Sequence, residues 1–227
     1  MFGQFKQRSK DLERLDTGDY TPEEYLRWQR EMRLIHRVFG EIRALRNSLL
    51  PIVRASGESK VSILDVGAGS GELLRAVRKW LGEKATLVGV EINVDAAKAI
   101  GRGDGNLNAL RADALRLPFA DNSFDHAFCS LFLHHLTDVQ AVAMLHEMSR
   151  VAKKRIFVID LRRSPVAYYF FRFTSRLFLQ RFTSEDGSLS ILRSFTPVEM
   201  RQLAEKAGLV DIEVKRSWAY RLVLSGS

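Results

Sequence analysis

The sequence predicts an α/β protein, a mostly parallel sheet with helices on both faces. Three observations carry this. Short apolar runs alternate with segments of helical periodicity from Val61 onward. Three of those runs end in an acid, at Asp65, Glu91 and Asp113. The first is followed by Gly67, Gly69 and Gly71, and then a helical pattern opens at Glu72. Open sheets of this kind bind ligands beyond the carboxyl ends of their strands.

The elements follow in order. Met1 to Asp19 is polar and reads as a loosely held segment. Thr21-Pro22-Glu23-Glu24 is a helix start, with Thr as N-cap, Pro in the first position and Glu closing a capping box. Apolar residues then recur at Trp28, Met32, Ile35, Phe39 and Ile42 with helical spacing. Gly40 divides the run into two helices, the second ending near Pro51. Such a face must be buried. It predicts an N-terminal helical cap, residues 1–57, lying over the cleft of a main domain, 58–227. A partner interface is the competing reading.

Strands are expected at Val61–Asp65, Thr86–Glu91, Asn108–Ala112, Phe124–Ser130 and Arg155–Asp160. Helices are expected at Glu72–Leu81, Val94–Ile100 and Asp138–Val151, the last behind a Thr137-x-x-Gln140 capping box. Gly101 to Gly105 (GRGDG) reads as a flexible turn. Thr196-Pro197-Val198-Glu199 starts another capped helix, which Gly208 stops. Two last strands fall near Val210–Lys215 and Trp218–Leu224.

The bulk numbers fit a soluble globular protein: 227 residues, 46% hydrophobic and 27% charged. The single cysteine, Cys129, excludes an intrachain disulfide. No Cys/His cluster has metal-ligand spacing, so no metal is expected. A reducing, cytoplasmic setting follows. No signal peptide is evident, and no apolar run reaches the roughly 18 residues that span a bilayer. The net charge of +8 raises nucleic acid or an anionic membrane as partners. The arginines are dispersed among acids, however, which favours a solvated surface.

The glycine turn carries chemistry. Glycine admits positive φ and lets a ligand reach the backbone, and the following helix offers free N–H groups. A nucleoside-bearing cofactor suits such a site. The GxGxG spacing departs from the GxGxxG dinucleotide fingerprint, which disfavours an NAD(P)-dependent reductase. A carboxylate at Glu91 can accept both hydroxyls of a ribose, and one at Asp113 can accept from an adenine amino group.

LDVGAGSG, VGVE, RADALRLPFADNSFD and FCSLFLHHL together resemble the ordered motifs of class I S-adenosylmethionine-dependent methyltransferases. The resemblance runs from about Val61 to the C-terminus. It implies a Rossmann-like, seven-stranded sheet whose last two strands form an antiparallel hairpin, and S-adenosylmethionine as cofactor, leaving S-adenosylhomocysteine. By that resemblance Asp65 and the loop of Gly67, Ala68, Gly69 and Gly71 hold the methionine end. Glu91, with Ile92 beside it, takes the ribose. Asp113 and Ala114 read the adenine edge, and Ser130 lies along the thioether.

Methyl transfer from a sulfonium is an in-line displacement that needs an aligned nucleophile, and an acidic nucleophile needs a base. His134 and His135, just past the fourth core strand, are the candidate bases, with capping of the next helix as the structural alternative. Arg162 and Arg163 are candidates to meet an acidic group on the substrate, against the alternative of surface ion pairs. Ser164 to Phe182 (SPVAYYFFRFTSRLFLQRF) is an aromatic cylinder with Arg172, Arg176 and Gln180 as a polar stripe. It reads as part of a substrate-lid insertion around 163–195, with internal packing or peripheral membrane contact as competitors.

DLRRSPVAYYFFRF and DGSLSILRSFTPVEMRQLAEKAGL are similar to methyltransferases that accompany bacterial type III polyketide synthases. That narrower resemblance implies a lipophilic phenolic acceptor and O-methylation. Quinone-biosynthesis methyltransferases share most of the core motifs, so carbon methylation of a lipid-tailed ring is the alternative. A nucleic-acid methyltransferase lacks its expected catalytic tetrad and RNA-binding module here. A non-catalytic cofactor-binding scaffold is the remaining reading. The acceptor's identity and the oligomeric state stay open at this stage.

Overall fold

The computed structural model describes residues 3–102 and 107–227. Among them the strands are β1 (Val61–Val66), β2 (Ala85–Glu91), β3 (Asn108–Arg111), β4 (Phe124–Ser130), β5 (Ala152–Leu161), β6 (Glu213–Ser217) and β7 (Arg221–Gly226). They form one sheet in the order β3-β2-β1-β4-β5-β7-β6. β1 to β5 pair in parallel, and β7 is antiparallel to both β5 and β6. This is the Rossmann-like sheet with a C-terminal hairpin. The strand order reverses between β1 and β4, which opens a crevice at their carboxyl ends.

The helices are α1 (Arg14–Thr17), α2 (Pro22–Val38), α3 (Glu41–Ala55), α4 (Glu72–Leu81), α5 (Val94–Gly101), α6 (Asp138–Val151), α7 (Pro165–Phe178), α8 (Arg181–Arg193) and α9 (Pro197–Lys206). Successive strand side chains point to opposite faces. Ile63 therefore joins Leu45, Leu49, Leu74, Phe128 and Phe157 under α3 and α4. Its neighbour Leu64 joins Met144, Met148 and Met200 under α6 and α9. No helix among the described residues is long and apolar enough to cross a membrane.

Four expectations change. Residues 3–19 are not loosely held: Glu13 is 3% exposed, and the segment is pinned by hydrogen bonds given below. The helix containing Pro51 continues to Ala55, because the buried Leu49, Leu50 and Val53 anchor its last turns on the sheet. The aromatic cylinder ends at Phe178, and α8 follows after a break. Gln180 is thus the N-cap of α8 rather than part of the Arg172–Arg176 stripe, and its side-chain amide donates to the Glu24 carbonyl (2.9 Å). The hairpin strands lie further along than expected, because Ala219 and Tyr220 take positive φ (52° and 58°) in the connection. Most of the GRGDG turn, residues 103–105, lies outside the described residues.

One buried ion pair ties the N-terminal helices to the hairpin. Arg221 Nε donates to Glu41 Oε1 at 2.7 Å, with Glu41 fully buried and Arg221 5% exposed. Removing one partner strands the other charge. Glu41→Ala should cost about 3–5 kcal/mol in a denaturant titration. Glu41→Leu combined with Arg221→Met should recover most of it.

Candidate active site

The crevice between β1 and β4 opens into a cavity of about 1100 Å³. Its floor is the end of the sheet. Asp65 is the next-to-last residue of β1 and is 3% exposed. Burial, and the neighbouring Glu91 carboxylate, push the Asp65 carboxyl well above the usual range. Gly67, Gly69 and Gly71 have φ of 72°, 53° and 84°, so the turn needs glycine. A Cβ on Gly67 would lie 2.9 Å from the Phe132 ring.

The loop amides are more engaged than the sequence implies. Gly67 and Ala68 N–H both donate to the Val90 carbonyl. Gly69 N–H donates to Glu91 Oε2 and Asn93 N–H to Glu91 Oε1, each at 2.9 Å. Glu91 is thereby fixed at the loop, and each of its oxygens keeps a further acceptor position. Asp65, Gly67, Ala68, Gly69, Glu91, Ile92, Ser130, His134 and His135 line the cavity. Gly71, Asp113 and Ala114 do not. Asp113 is exposed and caps Leu115 N–H (2.9 Å), while Ala114 packs in the core beneath α6.

The two histidines occupy a short 3-10 turn, Leu133–His135. His134 is 2% exposed. Its Nδ1 lies 2.6 Å from Asp160 Oδ1, and its backbone N–H donates to Asp160 Oδ2 at 3.0 Å. Asp160 is fully buried at the end of β5. Burial alone would raise its carboxyl. The His134 imidazole beside it, with the N–H groups of Leu161 and His134, holds it below the ordinary carboxylate range. An ionised Asp160 accepts the Nδ1 proton, so the lone pair of His134 falls on Nε2. His135 is held in the same manner, its Nδ1 2.8 Å from Asp16 Oδ1. Burial opposes ionisation of Asp16, but His135 and Arg193 bring it down to about 2.

The residues that sequence reasoning missed come from the N-terminal segment and α8. Glu13 lies between the two imidazoles, 3.9 Å from each Nε2. Burial pushes its carboxyl up to about 7. Arg193 donates to the carbonyls of His134 (3.2 Å) and His135 (2.6 Å), to the Asp11 carbonyl (3.1 Å) and to Asp16 Oδ2 (2.6 Å). Arg8 donates to the carbonyls of His134 (3.0 Å) and Leu136 (2.9 Å). Asp186 accepts from the N–H groups of Arg14 and Leu15, both at 3.0 Å. Asp160 had a signal, since RIFVID ends in an acid as the other strands do. Glu13 and Arg193 had none.

The two arginines after Asp160 divide. Arg163 is buried and donates to the carbonyls of Phe5 and Ser194 and to Glu199, so it serves packing. Arg162 lines the cavity and lies over the Tyr220 ring. The upper wall is aromatic. Tyr20 stacks on Tyr25 and Phe182, and Tyr25 on Trp28. Phe170, Phe171 and Phe178 of α7 and Met32, Ile35 and Phe39 at α2 complete it.

This fold and crevice suit a nucleotide-bearing cofactor, and comparison with known proteins narrows the class. Residues 63–155 match the family described as "Methyltransferase domain". A demethylmenaquinone methyltransferase of Geobacillus kaustophilus is 26% identical over 213 residues, covering 80% of this chain and 90% of that one. One from a further Geobacillus species is 30% identical over 170 residues, covering 67% and 72%. Among solved structures, the plantazolicin methyltransferase BpumL with a monoazolic desmethylPZN analog and SAH superposes with a TM-score of 0.70 at 14% identity, covering 90% and 89%. A SAM-dependent methyltransferase from Aquifex aeolicus gives 0.57 at 20% identity, covering 85% and 95%. The chain belongs to the class I S-adenosylmethionine-dependent methyltransferases. It is an enzyme, and its cofactor is S-adenosylmethionine.

Proposed function

We propose that this methyltransferase acts on a lipophilic hydroquinone or phenol, transferring the methyl group to a ring carbon, with His134 as the base. The observation that carries this is the His134–Asp160 pair set where the cofactor crevice meets an aromatic-walled cavity. At about 1100 Å³ the cavity exceeds the roughly 300–1,000 Å³ of a single small-ligand site, which supports room for cofactor and acceptor together.

The residues fit the cofactor. The Ser130 hydroxyl is buried in the crevice wall without a hydrogen-bond partner. Glu91 has acceptor positions left for ribose hydroxyls, and Asp65 is a buried carboxylate that a ligand ammonium would compensate. These residues, with Gly67, Ala68, Gly69 and Ile92, are the ones we assign to it. Gly71 shapes the loop from outside the wall. Asp113 and Ala114, which lie outside the cavity wall, are not among the residues assigned to the cofactor. When bound, S-adenosylmethionine supplies an electrophilic methyl group on sulfur.

The chain's own work is on the acceptor. The stacked wall of Tyr20, Tyr25 and Trp28 offers aromatic surface against which a planar ring packs. His134 Nε2 takes the acceptor's hydroxyl proton, and Asp160 stabilises the imidazolium that forms. The resulting phenolate spreads its charge onto the ortho carbon, so one base serves either oxygen or carbon transfer; after carbon transfer the hydrogen on that carbon leaves as a proton, which restores the aromatic phenol. The relatives named demethylmenaquinone methyltransferase favour carbon.

His134→Ala should lower kcat by about 10²- to 10⁴-fold, with S-adenosylhomocysteine affinity held within about threefold. Asp160→Asn should cost about 10- to 100-fold. Both are measured with a prenylated or alkylated naphthohydroquinone and ¹³C-methyl cofactor, and NMR of the product separates a C–CH₃ from an O–CH₃ signal. Parental turnover in both variants would sink the base; an O–CH₃ product would sink carbon transfer.

Asp65 sets a pH dependence. Its carboxyl is raised in the free enzyme, and a ligand cation favours the ionised form, so binding expels a proton. Affinity for S-adenosylhomocysteine should therefore fall as pH drops below that raised value, by up to about tenfold per unit. Calorimetry in two buffers of different ionisation enthalpy reads the proton, and Asp65→Asn should flatten the slope.

We also assign α7 as a membrane-facing lid. Val166, Phe170, Phe173 and Leu177 form an exposed apolar stripe, with Arg172 and Arg176 exposed beside it. Phe170 and Phe178 are both exposed and part of the cavity wall, so the stripe adjoins the substrate space. An amphipathic surface of this kind suits an anionic bilayer. The chain should co-sediment with phosphatidylglycerol vesicles at low salt, and Phe173→Asp with Leu177→Asp should weaken this at least about tenfold. No sedimentation of the parent chain would remove the assignment.

A further inference from the structure

We propose that His134, His135 and Glu13 form a binding site for a divalent transition metal, zinc by preference. We further propose that its occupation arrests the enzyme by taking the imidazole nitrogen that methyl transfer needs. The second half rests on the reading of His134 as base; the first does not.

Each imidazole is prepared as a metal ligand. His134 Nδ1 lies 2.6 Å from Asp160 Oδ1, and His135 Nδ1 lies 2.8 Å from Asp16 Oδ1. A carboxylate on one ring nitrogen fixes the tautomer and leaves the other lone pair for a metal. Both free Nε2 atoms face the same buried carboxylate, His134 opposite Glu13 Oε1 and His135 opposite Glu13 Oε2, each at 3.9 Å. That is too long for a hydrogen bond. It is close to the edge of a coordination shell, since ligands about 2.0–2.2 Å from a tetrahedral zinc stand about 3.4 Å apart. One donor atom from each residue lies within 4.8 Å of the other two, so closing them around an ion takes a shift of up to about 1.4 Å in the widest pair.

Glu13 supplies the independent sign. It is 3% exposed, and its Oε1 is buried with no hydrogen-bond partner. An orphaned, buried carboxylate oxygen is costly, and a cation satisfies it. The local charge agrees. Glu13, Asp16 and Asp160 are three carboxyl groups, against two guanidinium groups, those of Arg193, whose Nε lies 3.8 Å from Glu13 Oε1, and of Arg8, which donates to the His134 carbonyl. All three donors line the cavity, which gives an entry path and an open coordination position for water. Two imidazoles and one carboxylate suit zinc, cobalt or ferrous iron rather than magnesium or calcium. Spacing rules miss the site because Glu13 lies far upstream of the adjacent histidines, which share one side only through the turn at Leu133–His135.

The test uses the intact chain, stripped with chelator and titrated with Co²⁺ without any acceptor. Expected is a 1:1 complex with visible d–d absorption of tetrahedral or five-coordinate intensity, displaced by Zn²⁺. His135→Ala and Glu13→Gln should abolish that spectrum, and Asp16→Asn should weaken binding about 10- to 100-fold. Bound S-adenosylhomocysteine checks that each variant is folded. Zn²⁺ should inhibit parental turnover reversibly, and whatever turnover His135→Ala retains should be insensitive to Zn²⁺. No stoichiometric Co²⁺ complex, or a spectrum unchanged by both Glu13→Gln and His135→Ala, overturns the site. A stoichiometric complex without inhibition overturns the arrest. Because the spectrum is read without acceptor, a wrong acceptor assignment leaves it legible.

Discussion

The buried carboxylate of Asp160 is the constraint on which the acceptor half of the molecule depends. It has no exposed surface, so its ionised form persists only while it is fully hydrogen-bonded. Its partners are the His134 ring, the His134 backbone and the Leu161 backbone. Two of the three belong to the turn that follows β4. Asp160 therefore fastens that turn to the end of β5, and the neighbouring strands cannot slide without breaking the set. Orienting an imidazole and setting the turn are one interaction seen from two sides.

The fastened turn then becomes a scaffold for charge. Its carbonyls at His134, His135 and Leu136 accept hydrogen bonds from Arg8 and Arg193. Arg193 reaches on to Asp11 and Asp16, which draws the N-terminal segment across the cavity and delivers Glu13. A guanidinium suits this because its planar fork donates in several fixed directions, which an ammonium cannot match. Arg163, Arg193 and Arg221 are buried and paired inside the fold. Each of these guanidinium groups is matched by an acid, so they tie elements together and leave the net charge of +8 to the rest of the chain.

Legibility in the sequence followed the range of each interaction. β4 and α6 are read to the residue, because local alternation and a Thr137 capping box decide them. The glycine turn was visible because positive φ leaves a compositional trace at Gly67, Gly69 and Gly71. α8 was not, since its sequence RFTSEDGSLSILR has little helical amphipathicity. It is held instead by contacts such as the seat of Gly187 against Phe171, where a Cβ would come within 2.5 Å. The loosely held reading of residues 3–19 failed for the same reason. A charged, polar segment looks solvated until the partner arginine, more than a hundred positions away, is known. His134 and His135 could be named, yet their carboxylates could not be assigned from spacing.

The division has a functional meaning. The region that matches the methyltransferase family, residues 63–155, contains Asp65, the glycine turn, Glu91, Ser130 and both histidines. Asp160, Glu13, Arg193 and the aromatic wall lie outside it, in residues 3–39 and 160–221. The half proposed to hold the cofactor is thus built from short-range strand–turn–helix units inside the region that matches the family. The acceptor half is assembled from the two ends of the chain, and it exists only once both have docked on the sheet. Selection for a new acceptor can therefore act on α2, α7 and α8 while the cofactor crevice stays constant. The aromatic wall of Tyr20, Tyr25 and Trp28, to which the acceptor ring is assigned in the proposed function, lies outside the region that the family shares.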